Sequence, residues 1–144
     1  MERIINTVLQ ALEDHGIHAI RGYSGNELPT LKNPLCAVSM ADAVYTPICA
    51  DNIITETVAQ RSTGLLAEAK LLLECYDDYR HGDQACVETA IRAAGICSSL
   101  TDSFTCGEME LGYVHYEEDY DCFCCNVKIP VRVLIARLDQ LLEG

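Results

Sequence analysis

From Phe123 onward the chain alternates. Phe123, Cys125, Val127, Ile129, Val131, Val133 and Ile135 fall on one side of an extended backbone, and Cys124, Asn126, Lys128, Pro130, Arg132, Leu134 and Ala136 fall on the other. A helix would scatter the first set around its axis, so a period of two held over this length predicts one long strand with a dry face and a wetter one. Pro130 has no N–H to give to a ladder. The strand is therefore expected at a sheet edge, or with Pro130's nitrogen facing away from its neighbour. The same period recurs earlier, where Ala67, Ala69, Leu71, Leu73 and Cys75 alternate with Glu68, Lys70, Leu72, Glu74 and Tyr76. That predicts a second strand whose first set faces the core.

Around these two strands the weaker signals can be ordered. Ile4, Ile5, Val8, Leu9 and Leu12 recur at helical spacing with Gly16 as a stop, which predicts an amphipathic helix over 2–15. Residues 17–21 read as a short strand, 22–34 as a loop rich in turn formers, and 35–41 as a buried strand. Residues 42–52 show no clear period, and 53–62 are β-branched enough to suggest a strand. After the polar turn 77–82, Asp83 is expected to cap a helix with Cys86, Val87, Ala90, Ile91 and Ala94 on one stripe, Glu88 paired with Arg92, and Gly95 as its end. A strand over 103–111 follows, and 137–143 could add a turn or two of helix after the long strand. The order predicts a single α+β domain over 1–144: a mixed, mainly antiparallel sheet with two helices packed on one face.

The chain has 144 residues, 49% hydrophobic and 22% charged, with four prolines, which is enough to bury a core and excludes disorder over most of its length. Its net charge of −12 opposes wrapping on nucleic acid or docking on an anionic membrane. The acid thickens toward the C-terminus and is densest at Tyr116-Glu117-Glu118-Asp119-Tyr120-Asp121. The first residues lack the basic start and apolar stretch of an export signal, and no apolar run is long enough to span a bilayer. The nine cysteines are an odd number without an export signal, and are read as reduced thiols.

Chemistry-bearing patterns are sparse. Cys122-Phe123-Cys124-Cys125 lacks the paired spacing of a zinc module: Cys122 and Cys124 share a strand face, Cys125 takes the other, and His115 or Cys106 would have to complete a site. None of His15, His18, His81 and His115 has an obvious partner, and no serine elbow, phosphate loop or EF-hand order occurs. Glu108 and Glu110 read as a polar outer face, and Glu117, Glu118, Asp119 and Asp121 as a solvated loop. No catalytic residue, cofactor or metal is therefore expected. Tyr113, Tyr116 and Tyr120 among the acids point to binding, since tyrosines in polar loops favour surfaces that meet partners.

The opening helix Met1-Glu2-Arg3-Ile4-Ile5-Asn6-Thr7-Val8-Leu9, the exit Arg21-Gly22-Tyr23, the helix from Ala85 ending Arg92-Ala93-Ala94-Gly95, and Thr105-Cys106-Gly107 leading to the long final strand resemble phage tail terminator (tail-completion) proteins, including those of prophages and phage-like particles. The likeness covers nearly the whole length. It implies a virion tail subunit, assembled in the bacterial host cytoplasm, that forms a homo-oligomeric ring, usually a hexamer. The ring would cap the head-proximal end of the tail tube and join it to the neck or connector protein, with the sheath protein also a partner if the tail contracts. DNA would only pass through, and six copies at −12 each, 72 negative charges in all, would discourage it from sticking. Interface contacts are expected from Tyr113, Tyr116, Arg132 and Arg137. The alternatives are a head–tail connector component, or a small intracellular metal or thiol protein using Cys122, Cys124 and a histidine.

Overall fold

The computed structural model describes residues 2–22, 34–49 and 63–135. Helix α1 (Glu2–Asp14) leads into strand β1 (His18–Arg21), then β2 (Leu35–Cys49) and β3 (Thr63–Asp78). A 3₁₀ turn over Tyr79–His81 precedes helix α2 (Asp83–Ser98). The short strands β4 (Thr105–Cys106), β5 (Glu110–Leu111) and β6 (His115–Glu117) then lead to the long β7 (Cys122–Ile135). Among the described residues these strands form one sheet in the order β1-β2-β3-β7, with β4, β5 and β6 strung along the outer side of β7. Only the β1–β2 pairing is parallel. The architecture is α+β, with a mixed, mainly antiparallel sheet and both helices on one face.

The start of the chain folds as its pattern dictates. Ile4, Ile5, Val8, Ala11 and Leu12 form the buried stripe of α1. Gly16, in the left-handed region at φ +83°, ends it. The N–H of Ile17 donates to Leu12 O and that of Gly16 to Glu13 O, the paired bonds of a Schellman cap. Ile17 and Leu12 are both buried, so the cap doubles as an apolar contact that turns the chain into β1.

The two alternating segments are adjacent strands in one register, with Leu71 opposite Ile129, Leu73 opposite Val127 and Cys75 opposite Cys125. These side chains, with Cys36 and Val38 of β2, face the helices and form the core. Leu71, Leu73 and Ile129 have no solvent contact. On the other face Leu35, Ala37, Cys122 and Cys124 form a smaller buried patch.

Helix α2 departs from expectation in four ways. Gly82 (φ +86°), not Asp83, is the N-cap; Asp83 is the first helical residue, and its carboxylate instead accepts from the N–H of Gln84. The helix runs through Gly95 to Ser98. Arg92 reaches the carbonyl of His15 at the end of α1 instead of Glu88. The buried residues are Cys86, Ala90, Ala93, Ala94, Ile96 and Cys97, with Val87 half-buried and Ile91 exposed. Cys86 Sγ lies 3.3 Å from the carbonyl of Cys75, to which it donates.

Strand β2 does not stop at Ala41. The pairing shifts by one residue between Ala41 and Val44, with Asp42 at φ +54°, and then continues to Cys49. This bulge inserts one residue and flips the parity of the alternation, which is why 42–49 carries no readable period. The loop expected at 22–34 is described only at its ends, and the strand expected over 53–62 and the helix over 137–143 lie outside the described residues.

Nor is β7 an edge strand. It lies between β3 and the β4–β6 pieces. The N–H of Gly107 donates to Pro130 O at 2.7 Å, on the side away from β3. In an antiparallel strand a residue's nitrogen and oxygen point the same way, so Pro130's nitrogen faces outward too. Strand β4 ends at Cys106, one residue before the missing donor would be needed. The strand expected over 103–111 is likewise broken up. Thr105, Glu110 and His115 lie opposite Arg132, Lys128 and Cys124, so five steps along the outer chain match four along β7, twice. Two one-residue slips thus divide a single outer strand into three short ones.

Candidate functional site

Two surface regions concentrate the features that burial in the core does not explain. The first is the end of the sheet remote from the 3₁₀ turn, where the second half of β2, the start of β3 and the end of β7 run side by side. Val44 and Leu134 are 58% exposed and Tyr45 47%. Val44 lies opposite Glu68, which lies opposite Arg132 on the same face, and Arg132 Nη2 approaches Glu68 Oε2 at 3.6 Å. Both partners are well exposed, so the pair contributes little to stability, and Arg132 stays available to other carboxylates. Arg137 lies outside the described residues.

The second region is the hairpin of β6 and β7. Its four-residue loop, Glu118-Asp119-Tyr120-Asp121, closes with Asp121 in the left-handed region at φ +51°, and Glu117 pairs with Cys122 across it. Tyr113, just before β6, is 97% exposed. Tyr116 is half-exposed, meets Phe123 edge-on with ring centroids 5.8 Å apart, and donates its hydroxyl to Asp121. That bond raises the Tyr116 phenol to about 12. The structure thus ties Tyr116 to the acidic loop through Asp121, leaves Tyr113 in water just before β6, and puts Arg132 ten residues further along β7 from Cys122.

On the hairpin face turned away from the helices, alternation brings four side chains into a square. His115 and Glu117 stand on β6, with Cys124 and Cys122 opposite them on β7. His115 Nε2 and Glu117 Oε1 are 2.7 Å apart. Ligand atoms of His115, Glu117 and Cys124 all lie within 4.8 Å of one another, a set that could hold a metal. Cys124 is 2% exposed, and its thiol donates to Asn126 Oδ1 at 3.3 Å. Burial, followed by the carboxylate of Glu74, pushes that thiol well above its ordinary range. Cys106, the other candidate partner, is remote from this square; it lies opposite Val131 with its thiol toward the carbonyl of Cys97.

All four histidines have partners that the sequence did not reveal. His18 Nδ1 pairs with Glu13 Oε1 at 2.8 Å, His81 Nδ1 with Asp77 Oδ1 at 2.7 Å, and His15 Nδ1 with Ala11 O at 2.8 Å, besides His115 with Glu117. Asp77 and Asp78 are buried at the end of β3 and organise the turn into α2. Asp78 accepts from the backbone N–H and the guanidinium of Arg80, which holds its carboxyl down at about 2. Glu108 and Glu110 are both exposed, and only Glu110 lies in a strand.

The eight cysteines with described side chains are unbridged. Cys36, Cys75 and Cys125 form a row across three strands, with Cys36 and Cys75 Sγ 3.8 Å apart, and fill the core as small apolar groups. Burial pushes Cys86 and Cys97 up to about 12. Among the described residues no helix is long and apolar enough to cross a membrane. Neither the scan against protein-family models nor the search of curated proteins finds a match for this chain.

Proposed function

We propose that this chain is a tail terminator of a phage or phage-like particle: a structural subunit that assembles with copies of itself into a ring, a hexamer, on the head-proximal end of the tail tube, and there meets the neck. The observation that carries this reading is the exposure of Val44 and Leu134 on one face, and of Tyr45 on the other, at the end of the sheet remote from the 3₁₀ turn. Large apolar side chains left in water at the end of a sheet offer a surface suited to being covered by protein. Tyr113 and Tyr116 offer a second such surface beside the acidic hairpin. The charge of −12 favours free passage of DNA past the assembled subunits.

Native mass measurement and negative-stain imaging of the purified chain, with and without tail tubes, test the proposal. Rings seated on one end of each tube are expected. Reversing charge with Arg132→Glu and Arg137→Glu together should weaken the ring and release tail length from control. A chain that stays monomeric and ignores tubes overturns the reading, as does a doubly reversed variant that assembles and sets tail length normally.

A further inference from the structure

We propose that the face of the β6–β7 hairpin turned away from the helices is a divalent-metal site, with His115, Glu117 and Cys124 as protein ligands and zinc as the ion it suits. The site does not depend on the tail-terminator reading. It rests on strand geometry: His115 and Glu117 are two apart on β6 and so share a face, and Cys124 stands directly opposite His115 on β7.

The donors are a nitrogen, a carboxylate oxygen and a sulfur, the three ligand types zinc accepts. Zinc bonds of roughly 2.0 to 2.3 Å place tetrahedral ligand atoms about 3.3 to 3.8 Å apart. The three donor atoms here lie within 4.8 Å of one another, with the His115–Glu117 pair closer at 2.7 Å. Tetrahedral ligation therefore asks the His115–Glu117 contact to open, and the longer separations to close by about 1 Å at most. The hydrogen bond between His115 Nε2 and Glu117 gives way as the metal takes its place: a neutral imidazole carries the displaced proton on Nδ1 instead, and an imidazolium releases it to solvent, so His115 ligates as a neutral group. Cys124 loses its thiol proton to solvent on binding, as thiolate ligation requires. The thiolate and the carboxylate then balance the ion's two positive charges.

The surroundings are those of a supported site open on one side. Cys124 forms a buried floor, while His115 and Glu117 are part-exposed walls, so the fourth position is left to water or to a group from a partner. Asn126 lies against the Cys124 sulfur, and Tyr76, next to Cys124 on β3, donates to Glu74 at 2.7 Å. These outer groups restrain the floor ligand and add negative potential on the same face. Cys122 completes the square but stands outside the ligand set, and Cys125 points to the helices.

Cobalt(II) titration of the reduced full-length protein, followed by absorption and by displacement with zinc, tests the site. One equivalent of cobalt should produce a thiolate-to-cobalt charge-transfer band with the intense visible bands of tetrahedral coordination. Cys124→Ser should abolish the charge-transfer band. His115→Ala and Glu117→Gln, both at part-exposed positions and checked for fold by circular dichroism, should each weaken affinity at least about tenfold. Cys122→Ser and Cys106→Ser should leave it unchanged. The proposal is overturned if no band develops at one equivalent, or if His115→Ala and Glu117→Gln bind as tightly as the parent. These two variants decide the matter even if Cys124→Ser does not fold.

Discussion

Asp78 shows how much one side chain can organise. Its carboxylate takes the backbone N–H of Arg80 at 3.0 Å and the guanidinium at 2.6 Å, and these bonds hold its pKa at about 2 against an ordinary 3.8. A carboxyl depressed by folding adds stability above its unfolded pKa and loses it as pH falls through the folded one. The stabilisation is therefore complete above about pH 4 and fades toward about pH 2. Asp78→Asn should lower the urea midpoint near neutrality, and the gap from the parent should shrink over that acid window. A gap that is constant with pH would mean the carboxylate contributes through its shape alone. Little of this was legible in the sequence, because an i to i+2 contact between an acid and an arginine depends on the turn that the two residues themselves make. The histidines were illegible for the same reason: His81 finds Asp77, and His18 finds Glu13, only once a turn or cap has brought them together.

Among the elements, those with one dry face and one wet face were readable. β7 and the middle of β3 kept their alternation because one side of each faces the core beneath the helices, whereas 42–49 lost it at the bulge beside Asp42. The 105–117 region was obscured by its two slips, which leave pieces too short to show a period. The His115, Glu117 and Cys124 set was half visible. The faces followed from alternation, but bringing β6 opposite β7 required reading residues 118–121 as a hairpin loop. Glycines test this account. Gly95 lies in the interior of α2, and a Cβ added there meets nothing within 4 Å, so Gly95→Ala should stabilise the fold by about 0.5–1 kcal/mol. At Gly112 the added Cβ would sit 3.3 Å from the backbone oxygen of Asn126, the acceptor of Gly112's own N–H. Gly112→Ala should therefore destabilise by about 1 kcal/mol or more. Thermal melts of the two variants should move in opposite directions.

For the whole molecule, the end of the sheet remote from the 3₁₀ turn carries exposed apolar side chains on both faces, Tyr45 on the side of the helices and Val44 and Leu134 on the side away from them. Apolar groups more than half exposed contribute little to a subunit's own stability. Val44→Glu together with Leu134→Glu should thus leave the thermal midpoint within a few degrees of the parent while abolishing self-association in sedimentation velocity. A variant pair that unfolds, or that associates as before, would place the contact surface elsewhere. The outer border of the sheet has a different consequence. Because the strand along β7 falls out of step twice, it offers an incoming chain no continuous row of donors and acceptors. A template that loses count every five residues is hard to copy, so growth into fibres from this border is disfavoured even when the protein is crowded with its own kind.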